Sequence, residues 1–240
     1  MLLASRGCKV VVNDLGASTD GGGSDSKAAD VVVNEIKEAG GEAVANYNSV
    51  EDGDKLVTTA LESYGKIDIV IANAGILRDK TFARISPQDW DSVHNTHLRG
   101  SFLTVQAAWP HMRKQNFGRI IFTSSVAGVY GNFGQANYSA AKLGLVGLSN
   151  TLSQEGRKYN IHSNVIVPMA ASRMTKGIIP DEMLEQLAPE HIAPVVAWMC
   201  HQDCQDSGQV VEALAGWAGA YRWQRTKGVV LGETVGLYMN

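Results

Sequence analysis

The length, composition and charge of the chain exclude several classes of protein. Its 240 residues, 45% hydrophobic and 19% charged, can bury one large core, so we expect a single domain over residues 1–240 and no insertion into a membrane. Because 21 basic and 24 acidic residues give a net charge of -3 without a basic block, nucleic acid is not an expected partner.

Along the chain, short β-branched runs alternate with longer helical stretches. The predicted strands are residues 8–13, 42–47, 67–72, 119–124, 162–167 and 209–213. The predicted helices are residues 27–39, 52–64, 88–115, 136–158 and 192–201. This alternation is typical of an α/β fold of Rossmann type, in which a doubly wound parallel sheet carries helices on both faces.

The sequence also contains two long loop segments and three cysteines. A Gly/Ser/Asp loop is predicted at residues 14–24, and an irregular, charged segment at residues 169–189 is predicted to be a mobile flap. Cys8, Cys200 and Cys204 are too few for a disulfide framework. A zinc site at the last two would lack a second pair of ligands nearby, so we expect structural thiols and no metal.

The pattern lacks the first strand and the glycine-rich loop of a dinucleotide-binding fold. Such folds open with a strand and a turn whose backbone amides hold the pyrophosphate, but residues 1–7 match only the end of the helix that comes next. The glycines at 21–23 follow a later strand, so we interpret them as a surface loop. The absent strand would lie between strands 8–13 and 67–72 and leave their edges unpaired.

The strongest candidate for chemistry is a tyrosine and a lysine near the start of the helix predicted over residues 136–158. Tyr138 and Lys142 are four residues apart and therefore share one helix face. A phenol is a poor base at neutral pH, but a neighbouring ammonium favours the phenolate, which makes Tyr138 a candidate general acid/base for alcohol or ketone chemistry. Such pairs are common on ordinary helices. Their context here is Ser125, which follows a predicted strand and can hydrogen-bond a substrate oxygen.

Together these residues resemble the pattern of the short-chain dehydrogenase/reductase family. The matching features are Asn73-Ala74-Gly75 after a buried strand, Ser125 thirteen residues before Tyr138, Lys142 four residues beyond it, and Pro168 after the next strand. The resemblance extends from Leu3 to Val230. It implies that Ser125 polarises a carbonyl and that Tyr138 donates or accepts the proton. It also implies that Lys142 lowers the pKa of Tyr138 and binds a ribose.

A closer resemblance is to the dehydrogenase unit of the peroxisomal multifunctional enzymes. It depends on four stretches, residues 11–16, 73–79, 97–102 and 131–138. Those enzymes oxidise (3R)-hydroxyacyl-CoA to 3-ketoacyl-CoA in fatty-acid β-oxidation and also act on 17β-hydroxysteroids, so the resemblance implies an acyl-CoA or steroid substrate. It also implies a peroxisomal location. The chain ends without a Ser-Lys-Leu address, and without the resemblance we would expect it in the cytoplasm.

The expected cofactor is NAD. Asp14 stands at the end of a predicted strand, where its carboxylate would accept hydrogen bonds from ribose hydroxyls and repel the 2′-phosphate of NADP. A solvated turn aspartate is the alternative. The resemblance assigns the dinucleotide to residues near the strand ends: Asp14, Asn48, Ser49, Asn73, Ala74, Gly75, Tyr138, Lys142 and Pro168.

Two positions depart from the family pattern. His97 stands where many members carry an asparagine that organises a proton-relay water, so it is either a further catalytic residue or a residue that hydrogen-bonds the backbone. Asn48 stands where an aspartate commonly contacts the adenine amino group, which would weaken that contact or reverse its polarity.

Two functions remain open at this point. The complete Ser-Tyr-Lys set predicts an NAD-dependent 3-hydroxyacyl-CoA dehydrogenase, with a steroid dehydrogenase as the alternative substrate class. The missing glycine-rich loop favours a catalytically impaired chain that acts as a dimerisation partner. In either case the resemblance implies a homodimer through the helices predicted over residues 88–115 and 136–158, the alternative being burial of both helices within one subunit.

Overall fold

Strands and helices alternate through the residues that the structure, a computed structural model, describes: 1–23, 27–170 and 186–229. The strands are β1 (Lys9–Asn13), β2 (Glu42–Asn46), β3 (Ile69–Ala72), β4 (Gly118–Thr123), β5 (Ile161–Met169), β6 (Val210–Leu214) and β7 (Trp217–Tyr221). The helices are α1 (Leu2–Ser5), α2 (Lys27–Glu38), α3 (Gly53–Tyr64), α4 (Pro87–His94), α5 (Gly100–Gln115), α6 (Val126–Tyr130), α7 (Ala136–Gly156) and α8 (Ala193–Cys200). Short 3-10 turns occur at Phe82–Arg84, Arg157–Tyr159 and Pro189–His191.

The sheet has two parts. Among the described residues, strands β3, β4, β5, β6 and β7 form a five-stranded sheet in that order, and β1 and β2 form a separate pair. All neighbours are parallel except β6 and β7, which run antiparallel. The predicted α/β fold is confirmed. The unpredicted β7 follows β6 through a two-residue turn, Ala215 and Gly216, whose positive φ angles of 44° and 81° suit a tight hairpin.

The division of the sheet falls between β1 and β3. Within the described residues each of these strands pairs on one side only, as expected for a sheet without its central strand. Ile71 in β3 is 37% exposed as a result. Helix α3 connects the two parts, because it packs on α5 and on β1. Tyr64, at the end of α3, donates from Oη to the Val10 carbonyl oxygen at 3.5 Å.

The main core lies around β4, which is buried along its whole length. Ile120 and Phe122 on one face pack with Leu145 of α7. Ile121 on the other face packs with Met199 of α8. Alternate residues of one strand therefore bury against helices on opposite sides, as a strand covered on both faces requires.

Several details differ from the sequence predictions. The segment predicted as one helix over residues 88–115 is divided into α4 and α5 by a π-helical turn, Asn95–Arg99. This turn was not predicted, because hydrophobic periodicity does not reveal one extra residue in a turn. Pro168 lies inside β5 rather than after it, since the strand continues to Met169. Most of the predicted flap, residues 169–189, lies outside the described residues.

Candidate active site

Tyr138 and Lys142 meet on one face of the first turns of α7. The Lys142 Nζ lies over the Tyr138 ring, 5.5 Å from the ring centroid. Nζ also donates a 2.6 Å hydrogen bond to the carbonyl oxygen of Thr123, at the end of β4. The Lys142 carbonyl oxygen in turn accepts from Ser124 Oγ at 2.8 Å. These two bonds fix the helix that carries the pair against the carboxyl end of β4.

Lys142 is only 3% exposed. Its burial depends on the close approach of α6, because a Cβ on Gly128 would lie 2.8 Å from the Lys142 Cβ. The burial lowers the pKa of Lys142 to about 7. Since this value is near neutrality, the charge of the ammonium will respond to any group that binds beside it.

The phenol of Tyr138 has a pKa above its usual value. Burial is the main cause, the neighbouring Ser125 hydroxyl opposes the rise, and the Asp79 carboxylate adds to it. Ser125 caps α6, where its Oγ accepts from the Ala127 N–H at 3.2 Å. The structure therefore brings the predicted serine, tyrosine and lysine together. Lowering of the Tyr138 pKa by Lys142 stays a prediction, because the net shift here is upward.

His97 is buried beside Tyr138, in the π-helical turn, with 1% of its surface exposed. Its Nε2 lies 3.1 Å from the Ile76 nitrogen and 2.8 Å from the Ile76 oxygen, so the tautomer decides which of the two it bonds. Its pKa is lowered to about 3, mainly by burial and next by the Lys142 charge. The imidazole is therefore neutral and binds the backbone. A role in proton relay stays a prediction.

The turn after β3 is shaped to fit this imidazole. A Cβ on Gly75 would overlap the His97 ring, so glycine is needed for the ring and the turn to pack together. Asn73 and Ala74 are exposed beside it, which leaves their backbone open to the close approach of a ligand. The glycine at this strand exit thus has a local cause, and binding of the dinucleotide by Asn73, Ala74 and Gly75 stays a prediction.

The predicted adenosine side of the site lies at the ends of β1 and β2. Asp14 Oδ1 accepts from the Gly16 N–H at 2.7 Å. Asn48 is held through its main chain, because its oxygen accepts from Asn13 Nδ2 at 2.8 Å and its N–H donates to Asn46 Oδ1 at 3.0 Å. The sequence analysis missed Asn13 and Asn46. The feature of the sequence that could have identified them is an asparagine at the last position of each of the two neighbouring strands.

The remaining predicted cofactor residues also lie near strand ends. The Ser49 Oγ accepts from the Glu51 N–H at 3.2 Å, in the turn before α3. Pro168 is partly buried in the last residues of β5. All the predicted site residues except His97 therefore lie near the carboxyl ends of parallel strands or in the segments that follow them, where open α/β sheets bind ligands.

The loop after β1 links the two parts of the sheet at this edge. The Leu77 N–H donates to the Thr19 oxygen at 2.8 Å, and a Cβ on Gly21 would lie 3.2 Å from Ile76 Cδ1. The loop that follows Asp14 thus packs on the turn that holds His97.

A buried carboxylate that the sequence analysis missed anchors the loop between β3 and α4. Asp89 is 6% exposed, and its Oδ2 accepts from Lys80 Nζ and Ser86 Oγ, both at 2.7 Å. The Arg78 Nη1 lies 3.4 Å from its other oxygen. These hydrogen bonds, the one from Lys80 first, hold the pKa of Asp89 well below its usual range. The sequence feature that could have identified Asp89 is a capping pattern, in which Ser86 at the start of α4 is followed three residues later by an acidic side chain.

These residues fit the two ends of a nicotinamide dinucleotide better than its middle. The Asp14 carboxylate suits ribose hydroxyls, and the Tyr138–Lys142 pair suits the nicotinamide side. The described residues include no glycine-rich turn between a first strand and a helix. Gly21 and Gly23, with φ of 89° and 74°, belong to the loop after β1. The donors for the pyrophosphate are therefore unassigned in the described chain.

The cysteines show no features of a metal site in the part of the chain that is described. Cys200 and Cys204 are buried free thiols, and burial raises the pKa of Cys200 to about 12. No group of His, Cys, Asp and Glu in the described ranges could hold a metal ion.

Across the same residues, no helix has both the length and the apolar composition that crossing a bilayer requires.

Known proteins are similar to this chain in both sequence and fold. The family model of short chain dehydrogenases matches residues 2–183. Peroxisomal multifunctional enzyme type 2 of Mus musculus is 58% identical over 231 residues, which cover 96% of this chain and 31% of that protein. A short-chain type dehydrogenase/reductase of Mycobacterium tuberculosis is 54% identical over 213 residues, covering 88% of this chain and 74% of that protein.

A solved structure extends this similarity to three dimensions. A short chain dehydrogenase from Mycobacterium avium superposes with a TM-score of 0.85 at 37% identity, covering 97% of this chain and 83% of that one. The chain thus spans most of a single dehydrogenase but only 31% of the mouse multifunctional enzyme. The match to the family model, the identity to single dehydrogenases and the shared fold show that the chain belongs to the short-chain dehydrogenase family.

Proposed function

We propose that the chain carries out the NAD-dependent oxidation of (3R)-hydroxyacyl-CoA to 3-ketoacyl-CoA. The observation that supports this most is the assembled Ser125, Tyr138 and Lys142 set at the carboxyl end of β4. The substrate class is proposed from the similarity to peroxisomal multifunctional enzymes. A peroxisomal location and a role in fatty-acid β-oxidation are part of the same proposal, with 17β-hydroxysteroids as the alternative substrate.

In this mechanism Tyr138 accepts the proton of the substrate hydroxyl. Ser125, next to the phenol, hydrogen-bonds the substrate oxygen and stabilises it as the carbonyl forms. Lys142 supplies positive charge near the phenol, which favours the phenolate that must form first. Its pKa of about 7 means that a neighbouring anionic group would increase this charge. When bound, the nicotinamide supplies the acceptor for the hydride from C3.

NAD is proposed over NADP because of Asp14. Its carboxylate lies at the end of β1, and Oδ1 is oriented by the Gly16 N–H. A 2′-phosphate at this strand end would meet a like charge, whereas ribose hydroxyls would find an acceptor. Lys142 is the residue proposed to bind the second ribose.

A homodimer is proposed through α5 and α7. Phe102 on α5 and Leu143 on α7 are each 41% exposed. Apolar side chains exposed on two long helices suit association with a second copy of the chain. The position of these helices beside the active-site residues would let dimerisation stabilise the site.

Turnover tests the proposed function directly. Purified chain is given (3R)- or (3S)-hydroxyacyl-CoA with NAD in large excess, so that weak cofactor binding does not limit turnover, and the 3-ketoacyl product is measured. Oxidation of the (3R) isomer is expected, and Tyr138→Phe should lower it about 10²–10⁴-fold because only the proton-carrying oxygen is removed. Tyr159→Phe is the matched control, because Tyr159 lies just before the amino end of β5, away from the carboxyl ends of the strands. Equal turnover by wild type and Tyr138→Phe would contradict the mechanism.

The divided sheet supports a second candidate function. If the described residues cannot hold the pyrophosphate, the chain is a dimerisation partner without activity of its own. The unpaired edges of β1 and β3 favour this candidate. Calorimetric titration with NAD separates the two, since an inactive partner would show no binding while keeping its association with other copies.

A further inference from the structure

Two phenylalanine rings are exposed on the segments that follow β3 and that precede Tyr138. Phe82 is 81% exposed and Phe133 is 88% exposed. A single exposed apolar side chain is ordinary in a soluble protein. Two large rings on adjoining loops near a reacting group form instead the kind of apolar surface that receives a ligand.

Hydrogen bonds hold the two loops side by side. The Lys80 N–H donates to the Gly134 oxygen at 2.9 Å, and Gln135 Nε2 donates to Asp79 Oδ2 at 2.6 Å. Phe82 comes two residues after the first of these bonds, and Phe133 immediately precedes Gly134. The backbones that carry the rings are therefore neighbours.

Buried polar contacts keep the first loop in place. Asp89 binds Lys80 and Ser86, on either side of Phe82, with oxygen distances of 2.7 Å. Asn137, which is fully buried, donates from Nδ2 to the Arg78 oxygen at 3.1 Å. Exposure of the Phe82 ring is thus a property of a braced loop. Because these bonds already hold the backbone of the loop, a ligand that contacts the ring does not have to order the loop first.

The same contacts bring the loops that carry the rings close to Tyr138, because Asp79, three residues before Phe82, is near enough to raise the pKa of the Tyr138 phenol. Asn137 precedes Tyr138 directly, and Phe133 lies five residues before Tyr138. We propose that Phe82 and Phe133 form an apolar rim that binds the acyl chain of the acyl-CoA substrate, beyond the carbon that reacts at Tyr138. This proposal rests on the proposed function, and it assigns selectivity for longer acyl chains to these two rings. The apolar residues Phe102 and Leu143 lie on other elements and belong to the proposed dimer surface.

Calorimetric titration with acyl-CoA of different chain length, without NAD, tests the rim. Wild type, Phe82→Ser, Phe133→Ser and the double variant are titrated with CoA, butanoyl-CoA and dodecanoyl-CoA. The exposed aliphatic variant Val31→Ser, on α2, is the control because Val31 is 54% exposed and distant in sequence from both loops. The double variant should bind dodecanoyl-CoA about tenfold more weakly than wild type, with butanoyl-CoA and CoA affected little.

Each result decides between the rim and its alternatives. Dodecanoyl-CoA binding that is equal in wild type and the double variant would overturn the rim. So would a change in sedimentation coefficient with unchanged ligand affinity, which would assign the rings to contact between copies. Turnover measured in parallel separates this proposal from the proposed function. If the two rings contribute to dodecanoyl-CoA binding but the protein does not oxidise (3R)-hydroxyacyl-CoA, the proposed function is wrong and the rim is still supported.

Discussion

The imidazole of His97 stands edge-on to the phenol ring of Tyr138, with ring centroids 5.1 Å apart and planes at 90°. This contact joins the π-helical turn to the start of α7. Because the other side of the imidazole bonds to the Ile76 backbone, one neutral side chain positions both the turn after β3 and the proposed proton acceptor. This positioning role does not require the imidazole to gain or lose a proton.

Replacing His97 with asparagine should make the fold less sensitive to acid. The pKa of His97 falls from 6.5 to about 3 in the fold, so the unfolded chain takes up the proton first, and stability is lost as pH falls below 6.5. When the pH is lowered from 6.5 to about 4, the unfolding free energy of His97→Asn should therefore fall by about 3 kcal/mol less than that of wild type. Urea unfolding at both pH values measures this. The exposed His191→Asn is the control, and equal losses in wild type and His97→Asn would show that the imidazole is not neutral in the fold.

Gly75→Ala should destabilise the protein, because the added Cβ overlaps the His97 ring. A cost of about 1–3 kcal/mol is expected for overpacking at such a site. Part of this cost should disappear when His97 is also replaced by alanine, since the space then becomes available. A double-mutant cycle in urea unfolding measures the coupling. Strictly additive effects of the two substitutions would contradict the contact.

The predictable part of the fold follows from the pattern of buried strands. β4 was predicted within one residue because its centre, Ile120, Ile121 and Phe122, is a continuous apolar run, as expected for a strand buried on both faces. The hairpin to β7 was not predicted, since its strand, Trp217–Tyr221, is largely exposed and its turn depends on an alanine with positive φ. Local sequence carries little signal for such an edge strand.

The predictable part of the site is the set of residues that share a helix face or a strand end. Tyr138 and Lys142 were found by helical spacing, and Ser125 by its place after a strand. Asp89 was missed because its partners, Lys80 and Arg78, come from an irregular loop. The neutrality of His97 also depends on burial by distant segments, which no local pattern encodes.

Asp14→Ala should reduce the preference for NAD over NADP. The substitution removes an acceptor for ribose hydroxyls and a charge that repels the 2′-phosphate, so the ratio of the two affinities should fall about tenfold or more. Titration of each cofactor against wild type and variant gives the ratio. Asp20→Ala, in the same loop, removes an equal charge and is the matched control. If both variants change the ratio alike, the effect is one of general charge and Asp14 does not contact the ribose.

The divided sheet leads to a prediction about what would complete the site. β1 and β3 each have one unpaired edge within the described residues, and the described chain offers no glycine-rich turn for the pyrophosphate. Each charge-assisted hydrogen bond that is missing from such a turn is worth about 1.5–3 kcal/mol. We therefore expect the 240-residue chain to bind NAD weakly.

Fusing a strand, a Gly-x-x-x-Gly-x-Gly turn and a helix ahead of Met1 should increase NAD affinity about a hundredfold or more, because the new strand pairs both edges and the turn supplies backbone donors. A second fusion, with alanines for the turn glycines, separates these effects: it should raise the unfolding free energy without restoring NAD affinity. Calorimetry with NAD and urea unfolding of the three proteins measure both quantities. Micromolar NAD binding by the chain without the added unit would show that other residues already hold the pyrophosphate.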